Sequence, residues 1–207
     1  MLANSPSPIT HIGRLLRSST QQFVFSCRVP HPEVPQFGSF VRAPIQQNHS
    51  EVIGLISNIV VTDDPMVKEM AAAAEHYSDE TFEALVLDQR QRLNISIEAT
   101  VLAVGYRRDD KYIQALPPQP PVTLDKIHSC APEEIRAFTA QLDFLRLIIN
   151  ATEAPSDELM ATAISVAADT RPAADRQNYL KRAGRECARL LARDLTRLEN
   201  LLRRIQP

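Results

Sequence analysis

Residues 93–106 read Leu-Asn-Ile-Ser-Ile-Glu-Ala-Thr-Val-Leu-Ala-Val-Gly-Tyr, and this stretch decides the fold of the first part of the chain. Apolar and polar side chains alternate from Leu93, which is the period of a β-strand with one buried face. The polar residues 107–110 follow as a turn, and Tyr112–Gln114 returns as the partner of a hairpin. The stretch therefore predicts antiparallel sheet.

Shorter strand patterns precede it. The interval Val52–Val61 is apolar on both faces, as a central or curved strand would be, and Gly54 is placed to form a bend or bulge. Prolines after residue 29 end one of the other strands, because proline has no N–H to donate to a ladder. The further predicted strands are Ile12–Arg17, Phe23–Val29 and Phe40–Ala43.

One helical insert and a helical tail complete the pattern. Asp63 and Asp64 before Pro65 are typical of a helix start, so we expect a helical insert near 65–91. After the proline-rich run 116–121, which contains P-x-x-P twice, the apolar spacing changes to three and four residues. This spacing predicts helices from Pro132, from Ser156, and from Pro172 to about Ile205. A stiff connector or a polyproline ligand would each account for the run.

Composition excludes several classes of protein. The chain has 207 residues, a net charge of −2, only five glycines and no tryptophan. It contains neither G-x-x-x-x-G-K-[ST] nor G-x-G-x-x-G, which argues against a nucleotide site. No apolar stretch reaches the length of a membrane helix, and the first residues lack the pattern of a signal peptide. The three cysteines are scattered, which favours a reducing compartment. We expect a cytoplasmic protein.

Charge is distributed unevenly. Residues 171–207 hold ten Lys and Arg against four Asp and Glu, a net charge of +6, which leaves −8 for residues 1–170. On one continuous helix, arginines spaced by three and four residues would form a basic stripe. One interpretation is a solvated face that docks on the acidic body of the same chain. The other is contact with nucleic acid or an acidic partner. The stripe consists of Arg182, Arg185, Arg189, Arg193 and Arg197.

Candidate catalytic and metal-binding groups are few. His128 and Cys130 are two residues apart, and packing explains such a pair better than a metal site, which needs more ligands. Asp63–Asp64 and Asp109–Asp110 fit a helix cap and a hairpin turn. We therefore predict no catalytic residue, no metal and no cofactor. A deep pocket joining His128, Cys130 and acidic side chains would instead favour an enzyme.

Several short motifs occur in a familiar order: IGRLLRSSTQQFVF from Ile12, FGSFV from Phe37, VIGLISNI from Val52, DDP from Asp63, EATVLAVGY from Glu98 and LPPQPP from Leu116. This order resembles the HAS barrel, which precedes the motor of HerA-type DNA translocases and heads the catalytic subunits of ATP synthase. The resemblance implies an α+β chain: a small antiparallel β-barrel over 8–130, with the insert near 65–91, followed by a helical domain over 131–207. We expect the barrel to be filled by Phe23, Phe25, Ile53, Leu55, Ile95, Ile97 and Val101.

The resemblance also implies a role. In HerA-type proteins the barrel forms a ring and docks a NurA-type nuclease, and in ATP synthase the barrels hold the ring of subunits together. No motor follows the barrel here, so the resemblance implies an assembly or docking module and transfers no catalytic residue.

We therefore expect a non-enzymatic interaction protein without membrane contact. Its partner is expected to be a second copy, an ATPase or a nuclease in DNA processing, and the last helix has an apolar seam suited to a coiled coil. Direct binding of nucleic acid by the basic C-terminal helix is the alternative. The predicted partner-binding residues are Phe37, Gly38, Phe40, Arg182, Arg185, Arg189, Arg193 and Arg197.

Overall fold

The first part of the chain forms a closed barrel. The computed structural model describes residues 11–28, 35–46, 49–61, 78, 80–83 and 96–205. The strands in these residues are β1 (His11–Ser18), β2 (Gln22–Arg28), β3 (Phe40–Ile45), β4 (Ser50–Val61), β5 (Ser96–Arg108), β6 (Lys111–Ile113) and β7 (Lys126–Ser129). They are hydrogen-bonded in the order β2-β1-β7-β3-β4-β5-β6. Pairing of β2 with β5 closes six antiparallel strands into the barrel, and β6 extends β5 as a hairpin outside the closed ring. The predicted α+β fold, a small antiparallel barrel followed by helices, is confirmed.

Two predicted irregularities are present. The register between β4 and β5 shifts at Ile53/Gly54, where a bend or bulge was expected. The β5–β6 hairpin turns at Asp109 and Asp110, with φ of 50° and 60°. Left-handed φ at both central residues is the geometry whose twist matches that of the flanking strands. The predicted hairpin is therefore confirmed, but its turn is shorter than the predicted 107–110, because Arg107 and Arg108 still pair with β6.

The barrel interior is filled by side chains. All six closing strands contribute, and every member of this core is at most 6 % exposed. Ile95 lies outside the described residues, while Phe23, Phe25, Ile97 and Val101 are inside as predicted. The interior set is Ile12, Leu15, Phe23, Phe25, Cys27, Val41, Ala43, Ile45, Val52, Ile56, Ile97, Ala99, Val101, Ala103 and Ile127.

A second core lies between the outer wall of the barrel and the helices. Ile53 and Leu55 belong to it, so their predicted place inside the barrel is wrong. They alternate along β4 with Val52 and Ile56, which face the interior. Because both faces of β4 are apolar, the outer face has to be covered, and the helices cover it.

The tail contains more helices than predicted. The described helices are α1 (Pro132–Phe138), α2 (Phe144–Ile149), α3 (Ser156–Asp169), α4 (Ala173–Leu190) and α5 (Leu195–Ile205). The single long helix expected from Pro172 to Ile205 is wrong, because the chain turns at 191–194. Asp194 starts α5, and its Oδ1 accepts the N–H of Arg197 at 3.0 Å, as an N-cap does. The continuous apolar seam and the continuous basic stripe are therefore both interrupted.

Two predicted segments have different outcomes. The helical insert near 65–91 lies outside the described residues except for a helical turn at 80–83, where Phe82 N donates to Ser78 O at 2.9 Å. In the proline-rich run, Pro117 and Pro121 are buried. Each P-x-x-P pair thus contains one buried proline, which supports the connector interpretation.

Arg171 fixes the arrangement of three helices. Its Nη2 donates to Thr139 Oγ1 at 2.8 Å and Thr139 O at 3.2 Å, at the end of α1, and its Nη1 donates to Ala167 O near the end of α3. The guanidinium carbon lies 3.7 Å from the ring centroid of Tyr179 on α4. One side chain therefore satisfies terminal carbonyl groups of two helices and stacks on a third.

Substitution Arg171→Met is expected to lower the free energy of unfolding by about 2 kcal/mol, because it leaves acceptors at two helix ends without their donor. Urea unfolding followed by circular dichroism measures the change. Arg176→Met is the matched control: Arg176 lies on α4 and pairs with the exposed Asp169, so we expect a loss of only about 0.5 kcal/mol. Equal losses in the two variants would contradict this role of Arg171.

Candidate functional site

Three of the predicted arginines meet in one cleft. Arg182, Arg185 and Arg189 recur at helical spacing on α4, away from Tyr179, Ala183 and Cys187, which α4 buries in the helical core. The connection between α1 and α2 forms the opposite wall. The cleft has a volume of about 410 Å³ and is lined by Gln141, Leu142, Asp143, Arg182, Arg185, Glu186 and Arg189. We call it the arginine cleft.

The wall opposite α4 is held by a residue of the barrel hairpin. Gln114 follows β6, and its Nε2 donates to Phe138 O at 2.7 Å and Gln141 O at 3.1 Å. Its Oε1 accepts the N–H of Phe144 at 2.8 Å. The amide thus bonds to the end of α1 and the start of α2, which positions residues 141–143.

The three arginines differ in their partners. Arg182 Nη2 donates to Ala140 O at 2.7 Å, across the cleft. Arg189 Nε donates to both carboxylate oxygens of Glu186, at 3.1 and 3.0 Å. Hydrogen bonding within this pair lowers the pKa of Glu186 and raises the pKa of Arg189. Arg185 is exposed and makes no ion pair with any residue that the structure describes.

The cleft suits an anionic group. Its lining has three cations and two anions, and the carboxylate of Glu186 is occupied by Arg189. The guanidinium of Arg185 retains its donors, and a guanidinium presents them in a fork that matches a carboxylate or a phosphate. The geometry therefore favours binding of an anion at Arg185, beside the apolar side chain of Leu142.

The rest of the predicted stripe lies elsewhere. Arg193 is exposed in the turn between α4 and α5. Arg197 points to the start of α3, where its Nε donates to Asp157 Oδ1 at 2.6 Å and its Nη2 to Ser156 Oγ at 2.8 Å. Arg197 thus contacts the same chain, because the turn at 191–194 redirects α5. The prediction of one basic stripe across all five arginines is corrected to a cleft of three.

The predicted barrel loop is covered by the helices. Phe40 is 2 % exposed and packs edge-on against the rings of Phe138 and Phe144, with centroids 6.1 and 6.2 Å away. Gly38 has φ 78°, and a Cβ there would lie 2.3 Å from Thr162 Cγ2 of α3. Phe37 is half-buried against the same core. This loop binds the tail of its own chain, so the prediction that it is a partner surface is corrected.

A charged network lies where α1 meets the barrel. Glu51 contacts both Arg42 and Arg107, and Glu134 Oε1 lies 3.4 Å from Arg42 Nε. Glu134 Oε2 also accepts the N–H of Ala131 at 2.8 Å, at the start of α1. The charges alternate and sum to zero, so the network joins strands β3, β4 and β5 to α1 without presenting a net charge to a ligand.

His128 and Cys130 lie beside this network. Burial raises the pKa of the Cys130 thiol, and Glu134 adds to the shift, so the nucleophilic thiolate is disfavoured. Burial, followed by the neighbouring Arg42 and His11, lowers the pKa of His128. Within the described residues, no group of three or more His, Cys, Asp or Glu side chains is arranged to hold a metal ion.

The sequence predicted one wall of the cleft and missed the other. The spacing of the arginines identified α4, whereas Gln141, Leu142 and Asp143 carry no local signal of a binding site. The break after α4 did have a signal, since Asp194 at the start of an apolar repeat is a typical N-cap.

Comparisons with known proteins add no family. No protein-family model matches the chain, and a search of curated proteins finds no similar protein. The resemblance to the HAS barrel therefore stays a prediction. Among the helices that the structure describes, none is both long and apolar enough to cross a membrane.

The stability of the protein is expected to depend on His128 in mild acid. Its folded pKa lies below the ordinary value of 6.5, so the unfolded chain takes up a proton there at higher pH than the folded protein does. The free energy of unfolding therefore decreases as the pH falls through 6.5 toward the folded pKa. In His128→Gln this contribution is absent, and the loss on acidification should be smaller.

Urea unfolding of both proteins at about pH 7.5 and about pH 5.5 checks this expectation. Equal losses of stability in the wild type and in His128→Gln would contradict it.

Proposed function

We propose that the chain is a non-enzymatic assembly or docking module that binds an acidic segment of a protein partner in the arginine cleft. The observation that carries the proposal is the state of Arg185. Its guanidinium is exposed and has no ion-pair partner among the described residues, whereas the other arginines of the cleft have partners. A carboxylate of the partner would pair with Arg185 through charge-assisted, bidentate hydrogen bonds.

The barrel supports the role of a scaffold. Its interior is filled with apolar side chains, several of them fully buried, among them Leu15, Phe25 and Val101. A packed interior of this kind resists deformation. It holds the outer wall and the covering helices, and hence the arginine cleft, in a fixed geometry.

The resemblance to HAS barrels suggests the identity of the partner. We propose a second copy of the chain, a HerA-type ATPase or a nuclease, acting in DNA processing in the cytoplasm. Such a partner would supply the bond-making chemistry, while this chain would supply contacts.

Few arginines remain available to a ligand, and this favours a protein partner over nucleic acid. Arg182, Arg189 and Arg197 each contact a carbonyl or carboxylate of their own chain. Binding to a phosphate backbone needs several cations that are free to replace counterions. The arginine cleft instead offers few free donors next to the apolar Leu142, which suits an acidic peptide.

The test replaces the free arginine. A fluorescently labelled peptide of about ten glutamates should bind the wild type at low salt, and Arg185→Glu should weaken binding by tenfold or more, since a hydrogen bond between charged groups contributes about 1.5–3 kcal/mol. Fluorescence anisotropy measures the dissociation constant. Arg203→Glu is the matched control, because Arg203 is exposed on α5, outside the cleft, and contacts Asn200.

Equal weakening in the two variants, or no binding by the wild type, would contradict the proposal. A single-stranded DNA of about ten nucleotides carries nearly the same charge and serves as the second arm. If the wild type binds this DNA more tightly than the peptide, and Arg185→Glu removes that binding, the chain binds nucleic acid directly.

A further inference from the structure

The turn before β7 is held firmly against β1. Asp125 N donates to Val122 O at 3.1 Å and closes a β-turn, and Asp125 Oδ2 accepts the N–H of Val122 at 3.2 Å. Leu124 N donates to Leu15 O at 2.9 Å, and Leu15 N donates to Asp125 O at 3.0 Å. Bonds within the turn and to β1 therefore fix the turn in one conformation.

This turn presents apolar side chains to solvent. Val122 and Leu124 are 65 % and 64 % exposed, and Leu16, the residue where the β1–β2 register shifts, is 38 % exposed. Leu124 has φ 72° at the third position of the turn, which glycine usually occupies. A leucine in the left-handed region is strained, so this position is not optimised for stability.

Two cations border the same surface. Arg14 on β1 and Lys126 on β7 are register partners, and both are exposed. Neither forms an ion pair with a residue that the structure describes. Like charges on opposed residues destabilise a strand pair. Arg14 Nη1 donates to Leu124 O at 2.9 Å, which places its charge beside the exposed leucine.

We propose that this surface, the turn patch of Arg14, Leu16, Val122, Leu124 and Lys126, docks an acidic amphipathic helix of a protein partner. The apolar stripe of such a helix would cover the three aliphatic side chains, and its flanking carboxylates would pair with Arg14 and Lys126. The site is separate from the arginine cleft, whose lining residues lie on α4 and on the connection between α1 and α2.

The charges and the size of the turn patch argue for this occupant. A second copy docked symmetrically on the same patch would bring four cations together, which disfavours it. A lipid surface would gain two well-exposed apolar side chains and two cations, less than stable membrane attachment needs. A partner helix supplies apolar contact and carboxylates at once.

The test measures binding and stability of one variant. A labelled peptide of about sixteen residues, with Leu at three- and four-residue spacing and Glu elsewhere, is titrated against the chain carrying Arg185→Glu. This background weakens binding at the arginine cleft at least tenfold. Adding Leu124→Gly should weaken binding at least tenfold and raise the melting temperature by about 2 °C, because glycine accepts positive φ without strain. Loss of binding together with a gain in stability separates a docking residue from a structural one.

Matched controls change equivalent residues outside the patch. Leu195→Gly removes another leucine that is 65 % exposed, and Lys181→Glu reverses another exposed lysine. Neither should weaken binding, whereas Lys126→Glu should do so at least tenfold.

Several results would overturn the proposal. They are the absence of peptide binding, equal effects in patch and control variants, a lower melting temperature for Leu124→Gly, or binding only to vesicles that contain phosphatidylserine. Because Arg185→Glu is the background throughout, a negative result in this experiment does not contradict the proposal for the arginine cleft. A negative result in the cleft experiment likewise does not contradict the proposal for the turn patch.

Discussion

The arrangement of the molecule depends on apolar burial on both faces of β4 and β5. Inside the barrel, Ile56 and Val101 are fully buried, while Leu55 and Val104 on the outer wall are covered just as completely by the helices. At roughly 25 cal/mol for each Å² of apolar surface, an uncovered outer wall would cost several kcal/mol. The tail therefore cannot take an arbitrary position, because it has to cover this part of the barrel.

Polar groups decide how the helices lie on that wall. Gln114 bonds to the end of α1 and the start of α2, Arg171 bonds to the ends of α1 and α3, and Glu134 pairs with Arg42 at the start of α1. Helix ends carry unsatisfied backbone groups, and burying them without partners is costly. Apolar burial thus selects the covered face, and these side chains select one arrangement on it. The two walls of the arginine cleft follow from that arrangement.

The sequence predicted the features of the fold that a local residue pattern controls. Apolar patterns predicted every described strand except β7, and alternation predicted the inward places of Phe23 and Phe25. Turn residues predicted the bulge at Gly54 and the hairpin turn at Asp109. It could not show which apolar residues of β4 face the interior and which face the helices, since both sets are hydrophobic. The break between α1 and α2 has a distant cause, because Gln114, which bonds to both helices, lies about thirty residues before Phe144. The break after α4 did have a local signal in Asp194. Only the wall formed by α4 had a local signal, which is the spacing of its arginines. The cleft itself forms where α4 meets the connection between α1 and α2, and no local pattern predicts that meeting.

The cationic side chains fall into two groups. Some contact acceptors of their own chain, and others have no carboxylate partner among the described residues. Arg42, Arg171 and Arg197 each contact acceptors of their own chain, and each joins two elements of the fold. Arg14, Lys126 and Arg185 have no carboxylate partner among the described residues, and Leu124 keeps a strained backbone with an exposed side chain. The first three arginines are used within the fold, whereas these four positions present exposed side chains. Leu124 costs stability through its strained φ, and Arg14 and Lys126 are like charges on opposed residues. We therefore expect function at exposed positions of this kind.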